Sequence, residues 1–276
     1  MPQYQLIAMS ETSEISTNEQ DRYTVPALDR GLRLLACFGP AQPVWSAPEL
    51  ARSLELPRST VFRMLTTLEN SGYLQRSGTE YRLGLAVLRL GYDYLSTQPL
   101  AQLAEPVLQA LCDELGMTSN LALRDGTSVV YVARVTPSGA FQGAVRVGSR
   151  LPAHATVLGR ALLHDMDGAQ LRSVFGGEEL PQFSESTPRN IDELLRLLAE
   201  DRERGYAMGE GFYEPGVSSI AAPVRAADGR VVAGLAMAIP FTELGPDKTQ
   251  LWVQKVQQAA ETLSAHLRQQ HPDHLR

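Results

Sequence analysis

Residues Ser46–Leu83 read SAPELARSLELPRSTVFRMLTTLENSGYLQRSGTEYRL, and their punctuation decides the fold of the N-terminal part of the chain. Ser46-Ala47-Pro48-Glu49 has the form of a capping box, in which a hydroxyl and a carboxylate three residues apart satisfy amides that a helix start leaves unpaired. Proline is tolerated there because its missing N–H has no intrahelical partner in the first turn. Leu50, Ala51 and Leu54 then share one face. Glu55-Leu56-Pro57 stops this helix, since the residue before a proline is pushed out of the α region. A second helix starts near Arg58, with Val61, Leu65 and Leu68 at helical spacing as its buried stripe. Gly72 supplies a left-handed cap. Tyr73–Arg76 and Tyr81–Leu83 then alternate as two short strands around Ser77-Gly78-Thr79-Glu80.

Helix, turn, helix and arginine-flanked hairpin make a winged helix-turn-helix. Arg58, Ser59, Thr60, Arg63 and Thr67 fall largely off the buried stripe, and Phe62 joins them as a candidate contact. A helix that enters a DNA major groove needs this division. Arginine pairs bidentately with guanine O6 and N7, and hydroxyls at the positive helix start bind phosphate. Ser46, Arg76 and Arg82 complete the expected DNA-binding set. The charge distribution agrees. The chain carries a net −6, yet residues 22–90 hold nine arginines against five acidic residues, a local +4. All nine basic residues there are arginine, the type suited to phosphate and guanine forks.

The length of 276 residues predicts two domains, each with its own core. No apolar run approaches the ~20 residues that span a bilayer. The opening MPQYQLIAMSETSEISTNEQD lacks a basic leader region, and residues 1–21 read as a disordered acidic tail. Cys37 and Cys112, both in amphipathic helical stretches, are expected as reduced core thiols of a cytoplasmic protein. The predicted organisation is a winged helix-turn-helix at 22–84, a linker helix at 85–98 and a second domain at 99–276. Leu28, Leu32, Leu35 and Ala36 mark a first helix packing beneath the helix-turn-helix. Leu85, Leu88, Tyr92 and Leu95 mark the linker. A helix over 100–115 contains Pro106, which predicts a kink or a later start. Strands are expected at 119–124, 128–135, 141–147, 218–225 and 230–239. Helices are expected at 155–165, 169–175, 191–204 and 247–268. Antiparallel strands with segregated helices make this domain α+β.

Catalytic signals are missing from the sequence. The five histidines do not pair with cysteine or carboxylate at metal-ligand spacings. Ser218 and Ser219 lack the strand-turn-helix elbow of a nucleophile. Gly209-Glu210-Gly211 is too short for a dinucleotide fingerprint, and no P-loop occurs. No catalytic residue, metal or cofactor is therefore assigned. Small residues gather instead around one helix start, at Ala153, Ala155, Gly159 and Ala161. They also line the strands Ser219-Ala221-Pro223 and Gly234-Ala236-Ala238. Such stripes permit either close packing or a ligand cavity. His154 reads as a capping or structural residue, Arg160 as facing solvent or a subunit interface, and Glu210 and Glu214 as belonging to a solvated loop.

Val25–Leu32, Ser59–Leu65, Gly148–Ala155, Gly159–Leu163 and Gly216–Val224 together resemble IclR-type bacterial transcription regulators, from about Tyr23 to Pro240. The resemblance implies an α+β chain with an N-terminal winged helix-turn-helix, a linker helix and a C-terminal GAF-like effector-binding domain with an antiparallel sheet. It implies that a small organic acid binds between that sheet and the helix near residue 157. By motif, the pocket includes Val157, Leu158, Gly209, Ser219, Ala236 and Ala238. Relatives that bind very small acids carry polar residues at several of these positions. The apolar set here suits a larger effector such as an aromatic carboxylate, held by backbone amides and Ser219. Met208, Met237 and Phe212 are either further lining or core. The expected partners are double-stranded operator DNA, the organic acid and further copies of the chain. One winged unit buries little surface, so a homodimer is expected, and the resemblance extends this to a dimer of dimers. No membrane partner is expected. Two other readings stay open at this point: a DNA-binding protein without effector response, and an enzyme with an appended DNA-binding domain.

Overall fold

The computed structural model describes residues 23–138, 145–213, 216–240 and 246–269. The chain divides into two compact units between Tyr94 and Leu95. The expected tail at 1–21 lies outside the described residues.

In the first unit, α1 (Pro26–Ala36), α2 (Ala47–Ser53) and α3 (Arg58–Asn70) pack with β1 (Trp45–Ser46), β2 (Leu74–Ser77) and β3 (Glu80–Leu83). Leu34, Trp45, Leu50, Val61, Leu65, Leu74 and Tyr81 form the core. The Glu49 carboxylate accepts from both the Ser46 amide (2.8 Å) and the Ser46 hydroxyl (2.6 Å), which fixes the start of α2. Between α2 and α3, Glu55 takes a left-handed φ of 55°. At the end of α3, the Tyr73 amide donates to the Leu68 carbonyl and the Gly72 amide to that of Glu69. This is a Schellman cap, which needs the positive φ that Gly72 adopts. The three strands lie in the order β1-β3-β2. β1 was not expected, because two residues carry no alternation to read.

The face of α1 differs from expectation. Leu28 and Leu32 are 61% and 58% exposed, and Leu34 is the residue driven into the core. The helix is apolar on two sides, and periodicity alone does not choose which side meets the core. Leu85, Leu88 and Tyr92 of α4 (Leu85–Ser96) are likewise exposed.

The second unit opens with α5 (Pro99–Leu115), β4 (Thr118–Asp125), β5 (Ser128–Val135) and β6 (Arg150–Pro152). A 3-10 turn at Ala153–Ala155 leads into α6 (Val157–Leu162), followed by α7 (Gly168–Phe175), α8 (Ile191–Arg204) and β7 (Ala207–Glu210). β8 (Val217–Arg225), β9 (Val231–Pro240) and α9 (Pro246–Gln269) complete it. The sheet runs β6-β5-β4-β9-β8-β7, antiparallel throughout. Side chains alternate across it with period two. Leu121, Ile220, Leu235 and Met237 pack with α5 and α9. Ala122, Ala221 and Ala236 pack with α6, α7 and α8. The sheet is thus a wall between two cores, showing mostly large side chains to one and mostly small ones to the other, and the α+β class holds.

Several local expectations change. α5 runs from Pro99 through Pro106, so the helix does not begin at the internal proline. Of the strand expected at 141–147, residues 141–144 lie outside the described residues and 145–147 belong to no strand. The edge strand is Arg150–Pro152 instead. Glu210 ends β7 rather than sitting on a loop, and Glu214 lies outside the described residues. Cys37 and Cys112 are both free thiols, the second fully buried. Among the described residues, no helix is long and apolar enough to cross a membrane and no cluster of three metal-ligand side chains occurs.

Candidate nucleic-acid interface and ligand cavity

α3 presents Arg58, Ser59, Phe62, Arg63 and Thr67 to solvent, with Thr60 half-buried at its first turn. Val61 and Leu65 hold the opposite face in the core, so the exposed set is aimed by packing rather than by its own contacts. Phe62 is 53% exposed, an apolar group on a polar face and able to meet a thymine methyl. Thr67 Oγ1 donates back to the Arg63 carbonyl at 2.9 Å, which leaves its lone pairs outward. On the wing, Arg76 Nε donates to the Gly78 carbonyl (2.8 Å), and its guanidinium lies 5.7 Å from the Tyr81 ring centroid. Arg82 Nε donates to Gln75 Oε1 at 3.1 Å. Both wing arginines are thus held by neighbours within the hairpin. Ser46 caps α2, half-buried.

In the second unit a cavity of about 670 Å³ lies against the small-residue face of the sheet. The strand register lays out its floor. One row runs Thr118, Ala238, Ser219, Gly209 across four strands, and the next runs Arg134, Asn120, Ala236. The alanines in the middle leave the volume that larger side chains fill on the other face. Thr156, Val157 and Leu158 come from the start of α6. Thr156 Oγ1 accepts from the Gly159 amide at 2.9 Å, so the α6 start is already capped. Gly159 lets the chain fold back here: a Cβ on it would lie 1.9 Å from the Ala153 carbonyl oxygen.

All six residues expected at an effector pocket line this one cavity: Val157, Leu158, Gly209, Ser219, Ala236 and Ala238. Sequence reasoning missed Asn120, Tyr131, Arg134 and Thr156. Arg134 is the one charged side chain among the described lining residues, and its Nη1 donates to Asn120 Oδ1 at 3.0 Å. A guanidinium and a buried carboxamide thus stand at the cavity wall from β5 and β4, beside the Ser219 expected there. Nothing in Val-Ala-Arg-Val at 132–135 marked that arginine as inward-facing. Phe212 also lines the cavity, whereas Met237 lies in the α5–α9 core and Met208 packs against it.

His154 and Arg160 flank the site without lining it. Arg160 is not at a surface: its side chain is 1% exposed and pairs with buried Asp201. His154 is buried, with Nε2 2.8 Å from the Pro181 carbonyl and the rings of Phe175 and Phe183 centred 5.6 and 5.8 Å away. Burial pushes its pKa below the ordinary 6.5, with the Pro181 bond opposing. The unfolded chain then binds the proton more readily than the folded one below that pH. Stability is complete above about pH 6.5 and falls as the solution is acidified. Denaturant midpoints between pH 7.5 and 5.5 are expected to decline in the wild type and to flatten in His154→Leu. An unchanged slope in the variant would remove His154 from this account.

A winged helix-turn-helix in one unit and a ligand-sized cavity in the other are the parts of a ligand-responsive class of DNA-binding regulator. The model of the IclR helix-turn-helix domain matches residues 27–78, and that of the bacterial transcriptional regulator IclR C-terminal part matches residues 92–265. The chain belongs to the IclR family of bacterial transcriptional regulators. It is similar to the Pca regulon regulatory protein of Pseudomonas putida, at 33% identity over 230 residues that cover 83% of this chain and 79% of that one. It is similar also to the transcriptional regulator XynR of Escherichia coli (strain K12), at 28% identity over 245 residues covering 88% and 97%. Among solved structures, a transcriptional regulator from Rhodococcus sp. RHA1 superposes with a TM-score of 0.78 at 30% identity, covering 90% of this chain and all of that one. An IclR homologue from Microbacterium hydrocarbonoxydans, solved in complex with 4-hydroxybenzoate, gives 0.74 at 26% identity, covering 88% and 99%. These relatives are regulators, and this chain is a DNA-binding transcriptional regulator rather than an enzyme.

Proposed function

We propose that this chain is a cytoplasmic regulator whose hold on operator DNA is set by an organic acid with an aromatic ring, seated in the cavity with its carboxylate on Arg134. The observation that carries this reading is a guanidinium, the one charged side chain among the described lining residues, set with the Asn120 carboxamide and a few hydroxyls in a cavity whose remaining lining is small, aromatic and aliphatic. A planar fork suits a carboxylate in both charge and geometry. Ala236 and Ala238 leave a flat floor for a ring, with Val157, Leu158, Gly209 and Ser219 around it. The 4-hydroxybenzoate complex of the Microbacterium homologue supports the same class.

Operator contact is assigned to Arg58, Ser59, Thr60, Phe62, Arg63 and Thr67 on α3, with Ser46, Arg76 and Arg82 on phosphate. The working unit is a homodimer, assembled further into a dimer of dimers. The exposed apolar stripes of α1 (Leu28, Leu32) and α4 (Leu85, Leu88, Tyr92) support this, since leucines left in water on two helices favour association. An effector that binds one arrangement of the assembly better than another shifts the population and thereby operator occupancy.

Calorimetry with benzoate, 4-hydroxybenzoate, phthalate, glyoxylate and pyruvate tests the cavity, alongside anisotropy on DNA upstream of the protein's own gene. Aromatic acids are expected to bind and to alter DNA affinity. Binding only by the two smallest acids would sink the reading. Arg63→Ala is expected to cost ~1–3 kcal/mol on the operator and to relax preference at one base pair. If wild type and Arg63→Ala bind every duplex equally weakly, the assignment of α3 fails.

A further inference from the structure

Arg160 lies two residues beyond the cavity-lining Leu158 but does not itself line the cavity. Its buried guanidinium touches three groups from three parts of the unit. Nε is 3.0 Å from Asp201 Oδ2 on α8. Nη2 donates to the Met208 carbonyl on β7 at 2.6 Å. The guanidinium carbon lies 4.5 Å from the centroid of the Phe212 ring. Asp201, fully buried, is also gripped by Arg204 Nη2 at 2.6 Å.

Phe212 is the member of this cluster that lines the cavity. Its carbonyl accepts from Ser184 Oγ (2.9 Å) and Thr187 Oγ1 (2.7 Å). Its ring lies so close to Gly209 that a Cβ there would stand 2.3 Å from Phe212 Cε2. The wall is therefore held from three directions: by hydroxyls on its backbone, by the bare Gly209 against its ring, and by a cation over its face.

A buried ion pair is weak support for stability, because well-packed apolar groups of similar volume often do as well or better. What methionine or leucine cannot do is hold a carboxylate, a carbonyl and a ring face at once in a fixed geometry, as a planar guanidinium can. We propose that Arg160 is a positioning residue for the ligand cavity: fastened to Asp201, it sets Phe212 and the Met208–Gly209 backbone as a rigid wall and ties occupancy of the cavity to α8. This rests on the effector reading given above. A ligand pressing on Phe212 meets a cation anchored on α8, so the displacement is passed to that helix rather than absorbed locally.

The decisive variant is Arg160→Met with Asp201→Leu, which removes the charges together and leaves neither buried alone. Arg204, partly exposed, can then turn to water. Three readouts separate positioning from bulk stability: melting temperature, hydrogen exchange of the 209–213 amides, and affinity for 4-hydroxybenzoate. The variant is expected to melt at or above the wild-type temperature while those amides exchange faster and the acid binds roughly tenfold more weakly. Phe212→Leu should produce the same loss of affinity, and combining it with the double variant should add nothing further. Unchanged exchange, unchanged affinity or additive losses would each overturn the proposal. If the wild type binds no aromatic acid, the effector reading itself fails, and the exchange comparison still decides whether Arg160 holds the wall.

Discussion

Arg134→Leu is expected to weaken binding of 4-hydroxybenzoate by about 2 kcal/mol, roughly thirtyfold, because the lost partner is a charged donor. The sequence of causes is short. β5 places Arg134 beside Asn120 of β4, and both open onto the cavity. Removing the guanidinium leaves a carboxylate with only neutral donors such as the Asn120 carboxamide, which offset its desolvation less well. Asn120 is only 4% exposed and loses its donor at the same time, so a modest fall in melting temperature accompanies the change. Arg134→Lys separates the two roles, since it keeps the charge without the planar fork and should retain part of the affinity. Titration calorimetry of the wild type and both variants makes the check. Equal affinity of Arg134→Leu and wild type would show that the carboxylate sits elsewhere.

Gly159→Ala is expected to be the most damaging single methyl in the second unit. The added carbon would lie 1.9 Å from a backbone oxygen, 2.5 Å from the Ala153 carbonyl carbon and 2.6 Å from its Cα. No side chain can swing aside to relieve a clash with backbone, so α6 itself has to move. Overpacking of this kind costs about 3 kcal/mol or more, which lowers the melting temperature of a unit this size by roughly 6–12 °C. Because Thr156, Val157 and Leu158 move with α6, ligand binding should fail along with stability. Gly31→Ala offers the contrast. It sits within α1 with open space around it, and the same substitution there should stabilise by about 0.5–1 kcal/mol through helix propensity. Calorimetric melting of the two variants checks the pair, and a Gly159→Ala protein that melts like wild type would refute the close approach.

Much of the first unit was legible because its signals are local. The Ser46–Glu49 cap, the Pro57 stop, the Val61–Leu65 stripe and the Gly72 terminator each need only a few neighbouring residues. β1 escaped because its two residues are fixed by pairing with Tyr81 and Glu80, contacts far along the chain. In the second unit, the positions carried by motif gather around one cavity, while Arg134 and Asn120 did not stand out. Asn120 and Arg134 share a face because they are directly paired, and the register shift past Leu121, which skips Val132, brings Arg134 onto the same face as Tyr131, which alternation cannot anticipate. Arg160 was misread for a related reason. Arginine is seldom fully buried unless paired, and its partner Asp201 is 41 residues distant in sequence. Leu28 and Leu32 mark the opposite error, where apolar residues at helical spacing were assigned to a core they do not reach.

The roomy interior of the second unit also bears on how long the protein lasts. An occupant that binds only the folded form adds about 2.7 kcal/mol of stability at a hundred times its dissociation constant. Proteolysis of transiently opened chains tracks the population of the open form when reclosing is fast. A cell rich in the acid would then hold more of the regulator as well as a different state of it. The same 670 Å³ would set both the signal and the half-life of its reader.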